Sequence, residues 1–195
     1  MSDFKQGFMD RYLEDVIQCL RKMQADLAPF EHLTEVLLDA RARGATIFLM
    51  GNGGSASTAS HFASDLAKGT ISEGAPRFRA ISLADNIPQL LAWANDASYE
   101  DIFVEQLKNL LSPGDVVIGI SGSGNSPNVL KAVRYAKEQG ATTIGLTGFK
   151  GGKLATLADL VYVVPLHYMQ QIEDIHLLIE HMITSAIREE AGQVG

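Results

Sequence analysis

The chain has a single cysteine, Cys19, so no disulfide can form within it, and such usage suits a reducing compartment. Long apolar runs are missing too. No stretch approaches the roughly 18 to 20 apolar residues that cross a membrane, and the first residues, MSDFKQGFMD, lack the apolar core of a secretory signal. We therefore expect a cytoplasmic protein. There is no basic excess either: 16 Lys and Arg stand against 23 Asp and Glu, a net charge of −7. That excludes broad electrostatic attraction to nucleic acid, which needs a basic face. A small anion would have to be gripped by local dipoles against the global field. Linkers, low-complexity tracts and internal repeats are absent as well, so one domain over residues 1–195 is expected. What is present is an ordinary globular balance, 46% hydrophobic with 20% charged.

Apolar positions at helical spacing (Phe8, Tyr12, Val16, Leu20, Met23, Leu27) predict an amphipathic helix over 4–28. A second helix is predicted over 31–43, stopping at Gly44. Four apolar, β-rich runs follow, TIFLM, RAISL, DVVIGI and TTIGLT, and a fifth, LVYVVP, ends at Pro165. Helical patterns separate or follow them, at 55–68, 99–111, 126–139 and 169–190. Strands apolar on both faces and alternating with helices imply parallel βαβ units covered on both sides. The expected fold is α/β: a doubly wound sheet of about five parallel strands. Ligands of such sheets bind beyond the carboxyl ends of the strands, which directs attention to the loops after TIFLM, RAISL and DVVIGI.

Two of those loops are built for a phosphate. Gly51-Asn52-Gly53-Gly54-Ser55-Ala56 fits G-x-G-x-x-[GA], follows a strand and opens a helix. A dinucleotide site also expects an acid about 20 residues on; here Asp85 comes 34 residues after Gly51, which weighs against a nicotinamide-dependent oxidoreductase. The second loop, Ser121-Gly122-Ser123-Gly124-Asn125-Ser126-Pro127, offers hydroxyls, close backbone approach and a helix start. Ser126 is placed as N-cap and Pro127 as the first helical residue. Such a cradle suits one phosphate dianion. An ordinary tight turn uses the same residue types, but two such loops at strand-to-helix junctions favour a monophosphate with a polar tail.

In order along the chain, GNGGS, HFASDL, ANDASYEDIF, GISGSGNSPNVLKA, LTGFKGGK and IEDIHLLIEH resemble the SIS-domain sugar isomerases, and within them the sedoheptulose-7-phosphate (phosphoheptose) isomerases, over residues 10–188. The resemblance implies a flavodoxin-like fold, a homotetramer with active sites between subunits, and in several members a zinc ion. It also implies interconversion of sedoheptulose 7-phosphate and D-glycero-D-manno-heptose 7-phosphate.

Aldose–ketose isomerisation moves a proton between C1 and C2 through an enediol, and needs a base at carbon with an acid or metal at the oxygens. His61 and Asp65 are four apart and share a helix face; Glu173 and His181 are eight apart, slightly over two turns, and roughly share one. The resemblance maps the zinc ligands onto His61, Asp65, Glu173 and His181, with Asp65 as base and His181 as acid. It places Asn52, Gly53, Gly54, Ser55, Asn95, Asp96, Asp65 and Glu173 against the sugar, and Ser121, Gly122, Ser123 and Ser126 at the phosphate. From the residues alone, His61 serves equally well as a packing residue, acids near a helix start such as Glu173 and Asp174 favour the dipole regardless of function, and His176 competes with His181. His32 and His167 read as surface or packing residues and Trp93 as core.

The chain departs from the family pattern in four places: Asp65 stands where glutamate is found, Glu173 where glutamine is, Gln170 usually where aspartate is, and Gly122 where threonine is usual. Asp65 reaches about 1.5 Å less far, and misplacement on the order of 1 Å can cost roughly 10²-fold in rate. Glu173 adds a negative charge that would strengthen a divalent site but repel a phosphosugar if no metal were bound. The intact cradle beside an altered acid/base set also permits a second reading, a phosphosugar-binding SIS module without catalysis.

Overall fold

Residues 2–192 are described here from a computed structural model. Two helices, α1 (Ser2–Ala25) and α2 (Ala28–Arg43), precede the first strand. Gly44 ends α2 in the left-handed region at φ 69°, its amide donating to the carbonyls of Ala40 and Arg41. There follow β1 (Thr46–Gly51), α3 (Gly54–Ser64), β2 (Arg79–Ser82), α4 (Ile87–Asp96), α5 (Val104–Leu110) and β3 (Val116–Ser121). The chain continues through α6 (Pro127–Glu138), β4 (Thr142–Gly148), α7 (Leu154–Leu157), β5 (Leu160–Val164) and α8 (Met169–Glu190).

The five strands form one all-parallel sheet in the order β2-β1-β3-β4-β5, the doubly wound α/β architecture expected. Alternate strand residues feed two cores. Ile47, Leu49, Ile118 and Ile120 pack with α1, α2, α3 and α8; Phe48, Met50 and Val117 pack with α5, α6 and α7, with Trp93 of α4 partly buried at the edge. The chain reverses its winding direction between β1 and β3, and Gly51 pairs with Ile120 there. The loops that leave these two strands are therefore side by side at the switch point.

The strands and α8 lie within one or two residues of the expected spans. The break between α1 and α2 falls three residues earlier than expected, the short helix α7 was not expected, and three further stretches differ. The helix expected over 55–68 is α-helical only to Ser64, then widens into a π turn over Asp65–Gly69. The span 99–111 begins as a 3₁₀ turn, Tyr99–Asp101, before α5. And α4 was not expected as a separate helix; Asn86 caps it, Oδ1 accepting from the Gln89 amide at 3.3 Å, with Pro88 in its first turn.

Candidate active site

The glycine loop and the serine loop form one hydrogen-bonded unit. Asn52 and Asn128 exchange amide hydrogen bonds of 2.9 and 2.8 Å, and Tyr99 Oη donates to Asn52 Oδ1 at 2.8 Å. Asn128, buried at the start of α6, also accepts from the Val129 amide through Oδ1. Ser126 stands at the N-cap of α6 as expected but makes no capping bond; its hydroxyl lies 2.9 Å from Ser121 Oγ instead. Ser123 Oγ accepts from the Asn125 amide. The loop after β4 supports this turn from behind: the Gly148 amide donates to Gly122 O and the Leu154 amide to Gly124 O, both at 2.9 Å. Gly124, at φ +64°, has no room for a side chain, because a Cβ there would run into the Gly151 carbonyl. The rim that results is short hydroxyls and backbone at the positive end of α6, a concave anion seat.

The second half of the site lies where α3 packs on α8. His61, Asp65, Glu180 and His181 each offer one ligand atom, and all four atoms fall within 4.8 Å of one another. His61 Nε2 lies 3.9 Å from Asp65 Oδ2, and His181 Nε2 lies 3.4 Å from Glu180 Oε2. The two imidazoles meet edge to face at 4.8 Å between centroids. Both are about half exposed, whereas the Glu180 side chain is 0% exposed and neither of its oxygens has a hydrogen-bond partner. Burial, with the Asp65 carboxylate beside it, pushes the Glu180 pKa up to about 8. Such a group could hold a divalent cation.

Glu173 is not part of this cluster. Its carboxyl group lies over the first turn of α3, where a Cβ on Gly54 would fall 2.5–2.7 Å from its atoms. The expectation that Glu173 joins His61, Asp65 and His181 is thus replaced in this structure by Glu180. Glu173 and Glu180 are seven residues apart on α8, nearly the same face but about 10 Å along the axis. His176, the competing histidine, is fully buried, with Nε2 3.1 Å from the Thr147 carbonyl; burial pulls its pKa down to about 4. His32 pairs with Glu35 on the surface and His167 is exposed. Asn95 and Asp96 end α4 in the open, hydrogen-bonded to each other at 2.8 Å. Asp85 is engaged by the Ser60 hydroxyl of α3.

The SIS-domain family model matches residues 11–148. The chain belongs to this family. It is 38% identical over 185 residues to the phosphoheptose isomerase of Trichlorobacter lovleyi, covering 94% of both chains, and 39% identical to that of Aliarcobacter butzleri, covering 91% of this chain and 92% of the relative. Among solved structures, phosphoheptose isomerase from Neisseria gonorrhoeae superposes with a TM-score of 0.85 at 31% identity, over 94% of this chain and 98% of that one.

Within the SIS framework, one departure in the serine loop has a local cause. A side chain at Gly122 would run into the Met169 sulfur at the start of α8, so methionine fills the space where the family's threonine would stand. Three residues were missed by sequence reasoning. Asn128 and Tyr99 lay inside quoted motifs but carried no chemical pattern. Glu180 had a readable signal: buried positions on α8 run Ile172, Ile175, His176, Ile179, Glu180, Ile183, Thr184, Ile187, and a glutamate on that stripe is out of place unless something pairs with it.

Proposed function

We infer that the protein interconverts sedoheptulose 7-phosphate and D-glycero-D-manno-heptose 7-phosphate. The observation that carries this reading is the convergence of His61, Asp65 and His181 on one face, in a chain 38% identical to a phosphoheptose isomerase over nearly its whole length. The serine loop, through Ser121, Ser123, Ser126 and the backbone at Gly122, would seat the phosphate. Asn52, Gly53, Gly54 and Ser55 would meet the sugar, with Asn95, Asp96 and Glu173 around it.

Asp65 takes a proton from C1 of the ketose while His181 delivers one to the C2 oxygen, giving the enediol. Returning the proton to C2 and releasing that of the C1 hydroxyl gives the aldose, so no net proton or electron is consumed. The donor set fits zinc: two imidazoles and carboxylate oxygens suit a borderline divalent ion. The four donor atoms lie within 4.8 Å of one another, and the buried Glu180 oxygens have no hydrogen-bond donor beside them. His61, Asp65 and His181, with a fourth donor from α8, would hold the ion; when bound it polarises the sugar oxygens as a Lewis acid.

A homotetramer with sites completed between subunits, in the cytoplasm, belongs to the same reading, as does a single SIS domain. Exposed apolar residues along α1 (Phe4, Met9, Leu13, Ile17) support association, as do the half-open imidazoles. The test is NMR of sedoheptulose 7-phosphate with the purified protein in D2O. Aldose carrying deuterium at C2 is expected; no product and no exchange would overturn the isomerase.

A further inference from the structure

We propose that Glu180, and not Glu173, supplies the fourth donor to a divalent-cation site with His61, Asp65 and His181, leaving Glu173 at the start of α3 beside the sugar loop. This rests on the metal part of the proposed function and goes beyond it by assigning a ligand at a position where the family resemblance does not put one.

The geometry follows from helix arithmetic. Glu173 lies against Gly54, the first residue of α3. Seven residues on from Gly54 comes His61, and seven on from Glu173 comes Glu180, so an equal rise of about 10 Å along each helix brings Glu180 level with the imidazole. Beyond His61 the helix widens into the π turn that begins at Asp65, and widened turns of this kind frequently mark functional positions. From the opposite helix, His181 Nε2 already stands 3.4 Å from Glu180 Oε2. Glu180 is fully buried and aimed into this group, with both carboxylate oxygens lacking any hydrogen-bond partner. Around it stand the Asp65 carboxyl group and two imidazole nitrogens, all four ligand atoms within 4.8 Å of one another, a donor set that one divalent cation could share. Glu173, by contrast, lies against Gly54 at the start of α3, where the positive helix end favours an anion independently of any metal. To join the cluster it would have to abandon that end and span about two helical turns.

The test uses cobalt(II) as a spectroscopic stand-in for zinc. Metal-free protein is titrated with CoCl2 while visible d–d absorption, which reports the number and type of direct ligands, is followed. Zinc affinity is then measured by competition with a chromophoric chelator. Glu173→Gln is expected to give the wild-type cobalt spectrum and an affinity within a few-fold of it. Glu180→Gln should alter the spectrum and weaken zinc binding by at least about tenfold, the lower end of the loss seen even for groups supporting a metal ligand. Glu180→Asp should retain binding with a shifted band, and melting of each metal-free variant checks that it is folded. An altered spectrum in Glu173→Gln, whether or not Glu180→Gln alters it too, would overturn the assignment. So would an unchanged spectrum in Glu180→Gln. Wild-type protein that binds neither ion would instead remove the metal from the proposed function, a different failure from the other two.

Discussion

The two halves of the site are held together by different means. At the switch point, the glycine and serine loops are locked before any ligand arrives. Asn52 and Asn128 satisfy each other, Ser121 meets Ser126, and the loop after β4 braces the turn from behind. Between α3 and α8 the polar groups converge but are not satisfied, and Glu180 keeps both oxygens unpaired in the interior. The first half is rigid and complete, which favours orientation at small entropic cost. The second stores an electrostatic demand that only a ligand of the right charge meets. An enzyme that holds an unchanging phosphate while the bonds at C1 and C2 of the sugar are remade has reason to be built this way.

Breaking the chemical half alone should give the largest effect. Asp65→Asn is expected to lower kcat on the order of 10²- to 10⁴-fold while sedoheptulose 7-phosphate still binds; full turnover in this variant would take Asp65 out of the mechanism. The next effect lies behind the site, at His176, whose pKa is about 4 in the folded protein against 6.5 for the free side chain. Between those values the unfolded chain binds more protons, so stability rises with pH and is lost as pH falls from 6.5 towards 4. The swing from this one group is on the order of 3 kcal/mol. Denaturant melts at pH 4.5 and 7.0 should therefore show a smaller pH difference for His176→Asn than for wild type, and equal slopes would show that burial of the imidazole is not responsible.

The locked half should respond more mildly. Gly122→Thr, which introduces the family's residue against Met169, should lose about 1–3 kcal/mol to overpacking. Adding Met169→Ala should recover much of it; a double variant no more stable than Gly122→Thr would mean the two do not compete for space. Smallest of all, Tyr99→Phe removes one exposed hydrogen bond to Asn52 and should cost about 1 kcal/mol or less, seen as a modest rise in KM with kcat unchanged. A fall in kcat instead would move Tyr99 into the chemical half.

The same contrast explains what could be read in advance. The loops were legible because a strand end, glycines, hydroxyls and a helix start are contiguous in sequence, and the buried strands declared themselves by unbroken apolar runs. The α3–α8 face joins segments more than a hundred residues apart, so only spacing within each helix was available. That spacing put His61 and Asp65 on one face and, with the family resemblance, favoured His181 through its eight-residue offset from Glu173, and nothing local showed that Glu173 faces the start of α3 rather than its end. The π turn at Asp65 was invisible because it depends on how the end of α3 is packed. Helix α4 was overlooked although Asn86 and Pro88 are strong start signals, since its apolar residues lie at the margin of the core and none is fully buried.

The link between Asn52 and Asn128 spans 76 positions of chain. A nascent polypeptide that has emerged only through α5 carries the whole glycine loop and both residues His61 and Asp65, yet of the partners of Asn52 it holds Tyr99 and not Asn128. Capture of the phosphosugar thus waits for β3 and α6 to dock, and full chemistry for α8, which follows every other element of the site in the chain. Substrate present during synthesis would stabilise only chains that already include α6 and α8, without rescuing a fragment that stops before them.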